Sequence, residues 1–276
     1  FLGHIREVDA IAHVLRCFED DDITHVSGSV DPLRDAEIID TELMLADLDS
    51  QEKRLPNLQK KAKSGDKEAA AEAPIVERVV AALREGKPAR ALSFSAEERP
   101  IFNRLQLLSA KPVMYVCNVS EGEAATGNAQ TAKVQAMAKT QGATCVTISA
   151  AIESEVAQLA EASKKQEFLE TLGLKETGLA RVIASGYALL DLVTFFTVGP
   201  KEARAWTVHR GAKAPEAAGV IHTDFEKGFI RAEAIAFPDY VAGGGESGAR
   251  DAGKLRLEGK DYTVQDGDIF HFRFNV

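Results

Sequence analysis

The residues best placed to do chemistry are Asn118-Val119-Ser120-Glu121, at the end of the apolar run Val113–Cys117. A carboxamide carries a donor and an acceptor, so the Asn118 side chain can meet N7 and the 6-amino group of adenine at once. Guanine instead presents two donors on one edge, N1–H and the 2-amino group. A carboxylate at the fourth position of such a loop accepts both. Facing adenine, that carboxylate meets the unprotonated N1 and loses hydration for nothing. Glu121 is one methylene longer than Asp, so a guanine clamp built for Asp does not survive here unchanged. The Val119 backbone could also contact a base. Taken alone, the four residues also fit an ordinary strand-to-helix turn capped by Asn118.

GTP-binding domains carry Asn-Lys-x-Asp at this kind of loop. Here Val119 replaces the Lys, so the long stem that would cover the ring is lost. Ligands of open α/β sheets bind at the carboxyl ends of the strands. Two further loops belong at such ends: Ser149-Ala150-Ala151, and the acidic loop that follows Phe18 with Glu19-Asp20-Asp21-Asp22 and runs through about Pro32. All three face one edge if their strands are parallel and adjacent.

The elements that would place these loops are legible. Residues 1–9 read as the end of a helix, and 10–18, 111–119 and 143–149 read as apolar strands. Met44, Leu48, Gln51, Leu55, Leu58 and Ala62 recur at helical spacing, and so do Val76, Val79, Val80 and Leu83. Ser64-Gly65-Asp66 separates the two runs, with Asp66 as N-cap, and Gly86 stops the second. They would pack as an antiparallel hairpin, with Pro56 and Pro74 kinking or restarting its helices. Ser95 to Glu98 is a capping box that opens a short helix reaching about Leu108. Helices are expected over 129–141, 152–171 and 176–190, with a break at 172–174. Strand alternating with helix argues a parallel sheet. From about Leu192 the texture changes to short strands and turns: TFFTVG, ARAWTVHRG, GFIRAEAIAF, DYTVQDGDIF and HFRFNV. Phe270, Phe272, Phe274 and Val276 alternate on one face there, and Trp206 reads as core. This indicates a compact α+β domain.

Composition narrows the function. A length of 276 residues suggests two domains, and 27% charged residues with 45% hydrophobic is ordinary for a globular protein. No apolar run approaches the roughly 20 residues of a membrane span and no signal peptide is visible, so no membrane role is expected. The net charge is −9, and residues 1–32 hold two basic against seven acidic side chains. No region has the basic excess of a stand-alone nucleic-acid binder, and no DNA partner is expected. Lys60, Lys61, Lys63 and Lys67 crowd the hairpin tip, which is either a solvated end or a face for RNA. Cys17, Cys117 and Cys145 form neither a disulfide framework nor a metal knuckle and fit a reducing cytoplasm. His4, His13, His209 and His271 lack metal-ligand spacing, so no metal site is expected from the residues present. His222-Thr223-Asp224 has no paired nucleophile and reads as a turn. Gly243-Gly244-Gly245 has no Gly-Lys-Ser/Thr sequel and reads as a loop.

Four longer stretches are more specific: RCFEDDDITHVSGSVDPLRD, NVSE, KEARAWTVHRGAKAPEAAGVIHTDFEKGFIRAEAI and GKDYTVQDGDIFHFRFNV. With them the whole chain resembles the YchF, or Obg-like, ATPases. These are P-loop NTPases related to translation factors that prefer ATP and end in a TGS domain, a ubiquitin-like β-grasp module. The resemblance implies an α/β fold: a partial P-loop NTPase-like parallel sheet in residues 1–32 and 112–192, a helical coiled-coil hairpin inserted at 33–111, and the TGS domain at 193–276. It implies that Asn118 and the Val119 backbone read adenine and that Ser149 and Ala150 form a second base-side loop. Phe18 would pack on the ring or serve as core. The family assigns the water-orienting part to a His in a mobile loop, and the matching position is His25. A neutral imidazole can accept from water and aim it for in-line attack. Otherwise His25 is a loop residue paired with Asp21 or Asp22.

The implied protein is a cytoplasmic, ribosome-associated ATP-hydrolysing switch that uses ATP and Mg²⁺. The ribosome or RNA would be met by the TGS domain and the hairpin tip. One departure matters: no G-x-x-x-x-G-K-S/T occurs in the 276 residues. Without it there is no backbone cradle for phosphates, no Lys for their charge and no Ser/Thr for Mg²⁺. The family's phosphate loop lies upstream of a Phe-Leu like Phe1-Leu2, so the chain reads as a fragment that holds the base end of a site and cannot hydrolyse ATP alone. Two other classes of function stay open. One is a non-catalytic module binding RNA, ribosome or protein through its TGS domain and hairpin. The other is a plain GTPase, against which Glu121 argues.

Overall fold

The structure is a computed structural model that describes residues 2–275. The chain divides into two compact units, residues 1–189 and 190–276.

The first unit opens with α1 (Leu2–Glu7) and β1 (Ile11–Arg16). Three helices follow: α2 (Pro32–Lys63), α3 (Lys67–Arg84) and α4 (Arg99–Arg104). Then come β2 (Val113–Asn118), α5 (Ala129–Gln141), β3 (Thr144–Ile148), α6 (Ala150–Gln158), α7 (Ala162–Thr171) and α8 (Gly178–Leu189). The strands form one parallel sheet in the order β1-β2-β3. β2 is its centre and is buried on both faces, which is why it reads as an unbroken apolar run. Val113, Tyr115 and Cys117 face a core shared with Val134 and Ala138 of α5 and with Ile152 and Val156 of α6. Met114 and Val116 face Val182 and Leu189 of α8.

α2 and α3 meet over Leu58, Ala69, Ala73, Val76, Val79, Val80 and Leu83. Asp66 caps α3, its side chain accepting from the Glu68 and Ala69 amides. Pro56 and Pro74 lie inside these helices, and neither restarts its helix. The missing N–H of each is one bond in a long ladder, and the buried face outweighs it. The capping-box bonds between Ser95 and Glu98 are present, but they precede a shorter helix than the sequence suggested, α4 alone. Asp47, 0% exposed, ties α2 to the segment entering β2: its carboxylate accepts from the amides of Leu108 and Ser109 and from the Ser109 hydroxyl. A second tie runs through Asp40. Arg90 donates to it at 2.7 Å, and the Tyr115 hydroxyl lies 3.3 Å from it and 2.8 Å from Gln141 Oε1. Burial, with the Asp40 charge next, pushes the Tyr115 phenol up to about 12.

The second unit holds β4 (Leu192–Val198), β5 (Ala203–His209), α9 (Ala214–Ile221), α10 (Thr223–Lys227), β6 (Phe229–Ala236), α11 (Phe237–Ala242), α12 (Glu246–Asp251), β7 (Arg256–Glu258) and β8 (Asp268–Phe274). Its sheet runs β5-β4-β8-β6-β7, with β4 and β8 parallel and the other neighbours antiparallel. Phe195, Phe270 and Phe272 pack with Ala214, Ala217 and Ala218 of α9. DYTVQDGDIF and HFRFNV, read separately in the sequence, contribute to one strand, β8, entered by a turn at Gly267 (φ +84°). Phe274 stacks on Phe225 at 3.9 Å, and Val276 lies outside the described residues. Trp206 is half-buried and packs against the edge of this core: its indole N–H donates to Thr197 Oγ1 and its ring lies under the Arg204 guanidinium. His222-Thr223-Asp224, expected as a turn, instead opens α10: His222 is its N-cap, with Nδ1 accepting from the Asp224 amide.

Among the described residues no helix is long and apolar enough to cross a membrane, and no group of three or more His, Cys, Asp or Glu could hold a metal.

Candidate functional site

The parallel register brings Arg16, Asn118 and Ile148 side by side at the carboxyl ends of β1, β2 and β3. Each loop leaving that edge is bonded to its neighbour. The Cys17 amide donates to the Asn118 carbonyl at 2.8 Å, and the Val119 amide donates to the Ile148 carbonyl at 2.9 Å. Asn128, the N-cap of α5, donates from Nδ2 to the Cys17 carbonyl at 2.7 Å and to Glu123 Oε2 at 3.0 Å. Glu123 also accepts from the Ser120 hydroxyl, and that bond, with the one from Asn128, holds its carboxyl below the usual range.

Asn118 is half-buried, and the Ala150 amide donates to its Oδ1 at 2.9 Å. The acceptor half of the amide therefore already has a protein partner, and the Nδ2 donors are the half left for a ligand. The sequence reading offered both halves to the base. Val119 is 3% exposed, its side chain continuing the inward series of Val113, Tyr115 and Cys117. It fills core rather than covering a ring. Among the described residues its carbonyl accepts no hydrogen bond. Ser149 is 2% exposed, and its Oγ is without a partner among the described residues. Ala150 is exposed at the first turn of α6, and Glu121 is exposed at the start of a short 3-10 turn. Phe18 is half-buried, with the Arg16 guanidinium 4.9 Å from its ring centroid.

His25 lies in the loop between β1 and α2. Its partner is neither Asp21 nor Asp22. The Ser27 amide donates to Nδ1 at 3.2 Å, so Nε2 carries the proton and donates to Asp35 Oδ2 at 2.9 Å. Both ring nitrogens are thus engaged. Asp35 sits in the first turn of α2, which places it ten residues from His25 in sequence and beside it in space. The structure brings Phe18, Asn118, Val119, Ser149 and Ala150 to one sheet edge and ties His25 to the start of α2. Lys60, Lys61, Lys63 and Lys67 are exposed around the turn joining α2 and α3.

Two residues of this edge went unread in the sequence. Asn128 announces itself only as an N-cap followed by Thr131, and its bond to the Cys17 carbonyl, just past β1, has no sequence signature. Arg16 is the other. It donates to three carbonyls, those of Phe18, Asp20 and Ile23, while four acidic residues stand nearby in the sequence.

Comparison with known proteins agrees with this architecture. The family model YchF-GTPase_C, described as a protein of unknown function (DUF933), matches residues 192–275. The chain is 53% identical over 278 residues to the Ribosome-binding ATPase YchF of Bacillus subtilis, covering 100% of this chain and 76% of that protein. It is 43% identical to the Obg-like ATPase 1 of Oryza sativa, covering 100% of this chain and 70% of that one. The solved structure of the Schizosaccharomyces pombe YchF GTPase superposes with a TM-score of 0.85 at 38% identity, covering 99% of this chain and 74% of that chain.

Proposed function

The chain belongs to the YchF family, and we propose that it supplies the base-reading end of an ATP-binding and ATP-hydrolysing switch that works at the ribosome. The observation carrying this reading is the Asn118 amide, oriented by the Ala150 N–H so that its Nδ2 donors remain for a ligand. Those donors suit the N7 acceptor, which every purine shares. Discrimination then falls at position 6. The unengaged Val119 carbonyl accepts from the 6-amino group of adenine, whereas the 6-oxo group of guanine would meet it lone pair to lone pair. Phe18 lies against the ring, and Ser149 and Ala150 close the opposite side. His25 orients the attacking water once its bond to Asp35 opens.

Residues 1–32 and 112–192 form the nucleotide-binding part, 33–111 the inserted hairpin, and 193–276 a TGS domain. The parallel β4–β8 pair at the centre of the second sheet, with α9 packed on it, supports a β-grasp fold there. That domain and the tip lysines Lys60, Lys61, Lys63 and Lys67 face the ribosome or its RNA. The cytoplasm is the compartment this work requires. No cluster among the described residues fits Mg²⁺. A polypeptide of these 276 residues, which contain no phosphate-loop motif, is expected to show no Mg²⁺-dependent ATP turnover.

Ligand-observed NMR titration of the 276-residue chain with adenosine and guanosine tests the reading. Adenosine should bind in the millimolar range and guanosine more weakly. Guanosine binding as well as or better than adenosine would overturn it and favour the GTPase. Binding of neither would favour the non-catalytic module.

A further inference from the structure

Arg16 ends β1 in register with Asn118, so its Cα lies beside the residue that meets the base. Its side chain turns onto the loop that follows. Nε donates to the Phe18 carbonyl at 3.0 Å, Nη2 to the Asp20 carbonyl at 3.1 Å and Nη1 to the Ile23 carbonyl at 2.8 Å. Its guanidinium also lies 4.9 Å from the centroid of the Phe18 ring. One planar fork thus gathers three carbonyls spaced two and three residues apart and an aromatic ring. An ammonium has no such fixed geometry.

The loop has few other ties at this end. Asp20 Oδ1 accepts from the Asp22 amide, and the Ile23 amide donates to the Asp20 carbonyl. Its far end is fixed independently, by His25 on Asp35 and by Arg34 on Ser29. The four consecutive carboxylates of residues 19–22 are exposed. They repel one another, and the Arg16 charge beneath their backbone offsets that repulsion.

We propose that Arg16 is the positioning residue of this site: its guanidinium sets the Phe18 ring against the base and closes the near end of the loop that carries His25. It acts through Phe18 and the backbone of residues 18–23 and touches neither base nor phosphate. The proposal rests on the reading of Phe18 and His25 given above, and the two can fail separately.

The test uses the 276-residue chain with Arg16→Gln and Arg16→Lys. Adenosine titration followed by NMR reads the site, and the upfield ring-current shift of adenine H2 and H8 reports stacking on Phe18. Hydrogen exchange read by mass spectrometry follows residues 18–31 against those of β1 and β2. In both variants the adenosine dissociation constant should rise at least fivefold, the upfield shift should shrink, and exchange in 18–24 should quicken at least tenfold while β1 and β2 stay protected. Unchanged loop exchange and affinity in Arg16→Gln would overturn the proposal. Full restoration by Arg16→Lys would overturn the forked geometry in favour of charge alone. Loss of β1 and β2 protection in both variants would reduce Arg16 to general support of the strand. A wild-type chain that takes no adenosine would sink the base reading, and the exchange measurement would still decide whether Arg16 holds the loop.

Discussion

Replacing Asn118 with Asp separates the structural from the recognition role of this residue more cleanly than Ala does. In Asn118→Asp the side chain keeps its shape, and Oδ1 can still accept from the Ala150 amide, now with a charge-assisted bond. Asn118 is half-buried, so the new carboxylate keeps part of its hydration in the free protein. Stability should therefore change little, by about 0.5 kcal/mol or less. The Nδ2 donors are lost, and a carboxylate oxygen faces the N7 lone pair instead. The lost hydrogen bond is worth about 1 kcal/mol, and stripping water from an unpaired charge adds about 1–3 kcal/mol. A total of about 2–4 kcal/mol weakens purine binding roughly 30- to 1,000-fold. The assay is the NMR titration with adenosine beside a thermal melt of the same sample. Adenosine binding within threefold of wild type, with an unchanged melt, would refute the placement of Asn118 Nδ2 at N7.

Three further outcomes follow from individual contacts. Asp47→Ala leaves two buried amides and a hydroxyl without their acceptor and should cost about 3–5 kcal/mol in urea unfolding followed by circular dichroism; a loss under 1 kcal/mol would show that water replaces the carboxylate. Asp35→Ala releases His25 Nε2, so the imidazole, 16% exposed and hydrogen-bonded in the wild type, should react faster with diethyl pyrocarbonate; equal rates would mean the pair does not form in solution. The pH dependence has two ends. Tyr115 and Tyr262, both pushed up to about 12 chiefly by burial, stay protonated in the folded chain while the unfolded chain ionises near 10, so stability falls as the pH rises from about 10 to 12. Burial holds His13 below its usual 6.5, so the unfolded chain takes the proton first and stability also falls as the pH drops below about 6.5. Melts across pH with absorbance at 295 nm check the first, and an imidazole NMR titration checks the second.

What the sequence disclosed and what it concealed divide along physical lines. β2 was legible because a strand buried on both faces is an unbroken apolar run, whereas β1 and β3 are only partly buried and were read from their apolar content alone. Of the two effects expected of Pro56 and Pro74, the restart does not occur, because propensity is local, while the packing that carries α2 and α3 through them is not. The inward side chain of Val119 was available from the alternation of 113, 115 and 117. Asp35 could not be found as the partner of His25, since Asp21 and Asp22 are nearer in sequence and only the start of α2 decides which carboxylate is nearer in space. Arg16 was illegible for a different reason: its acceptors are backbone carbonyls, and every residue has one. The short helices of the second unit, such as APEAAGVI, are too small and too rich in alanine to show a period among strands.

Base selectivity at this site cannot be read from side chains alone. Asn118 has two of its groups engaged by the protein: its carbonyl accepts from the Cys17 amide and its Oδ1 from the Ala150 amide. In the proposed site the remaining Nδ2 donors meet N7, which adenine and guanine both possess. A preference for adenine must then come from an acceptor near position 6, and the Val119 carbonyl is the group left to supply it. No substitution removes a carbonyl, so the ligand has to be varied instead. Replacing adenosine by purine riboside deletes the 6-amino group and should weaken binding by about one neutral hydrogen bond, roughly 1 kcal/mol or fivefold. Inosine places an oxygen there and should bind more weakly still, because two acceptors then face each other with neither able to donate. 7-Deazaadenosine removes the N7 acceptor and should lose affinity against wild type while losing much less against Asn118→Asp, where the donor is already gone. Inosine binding as tightly as adenosine would place selectivity elsewhere, and an equal 7-deaza penalty in wild type and variant would uncouple Asn118 from N7.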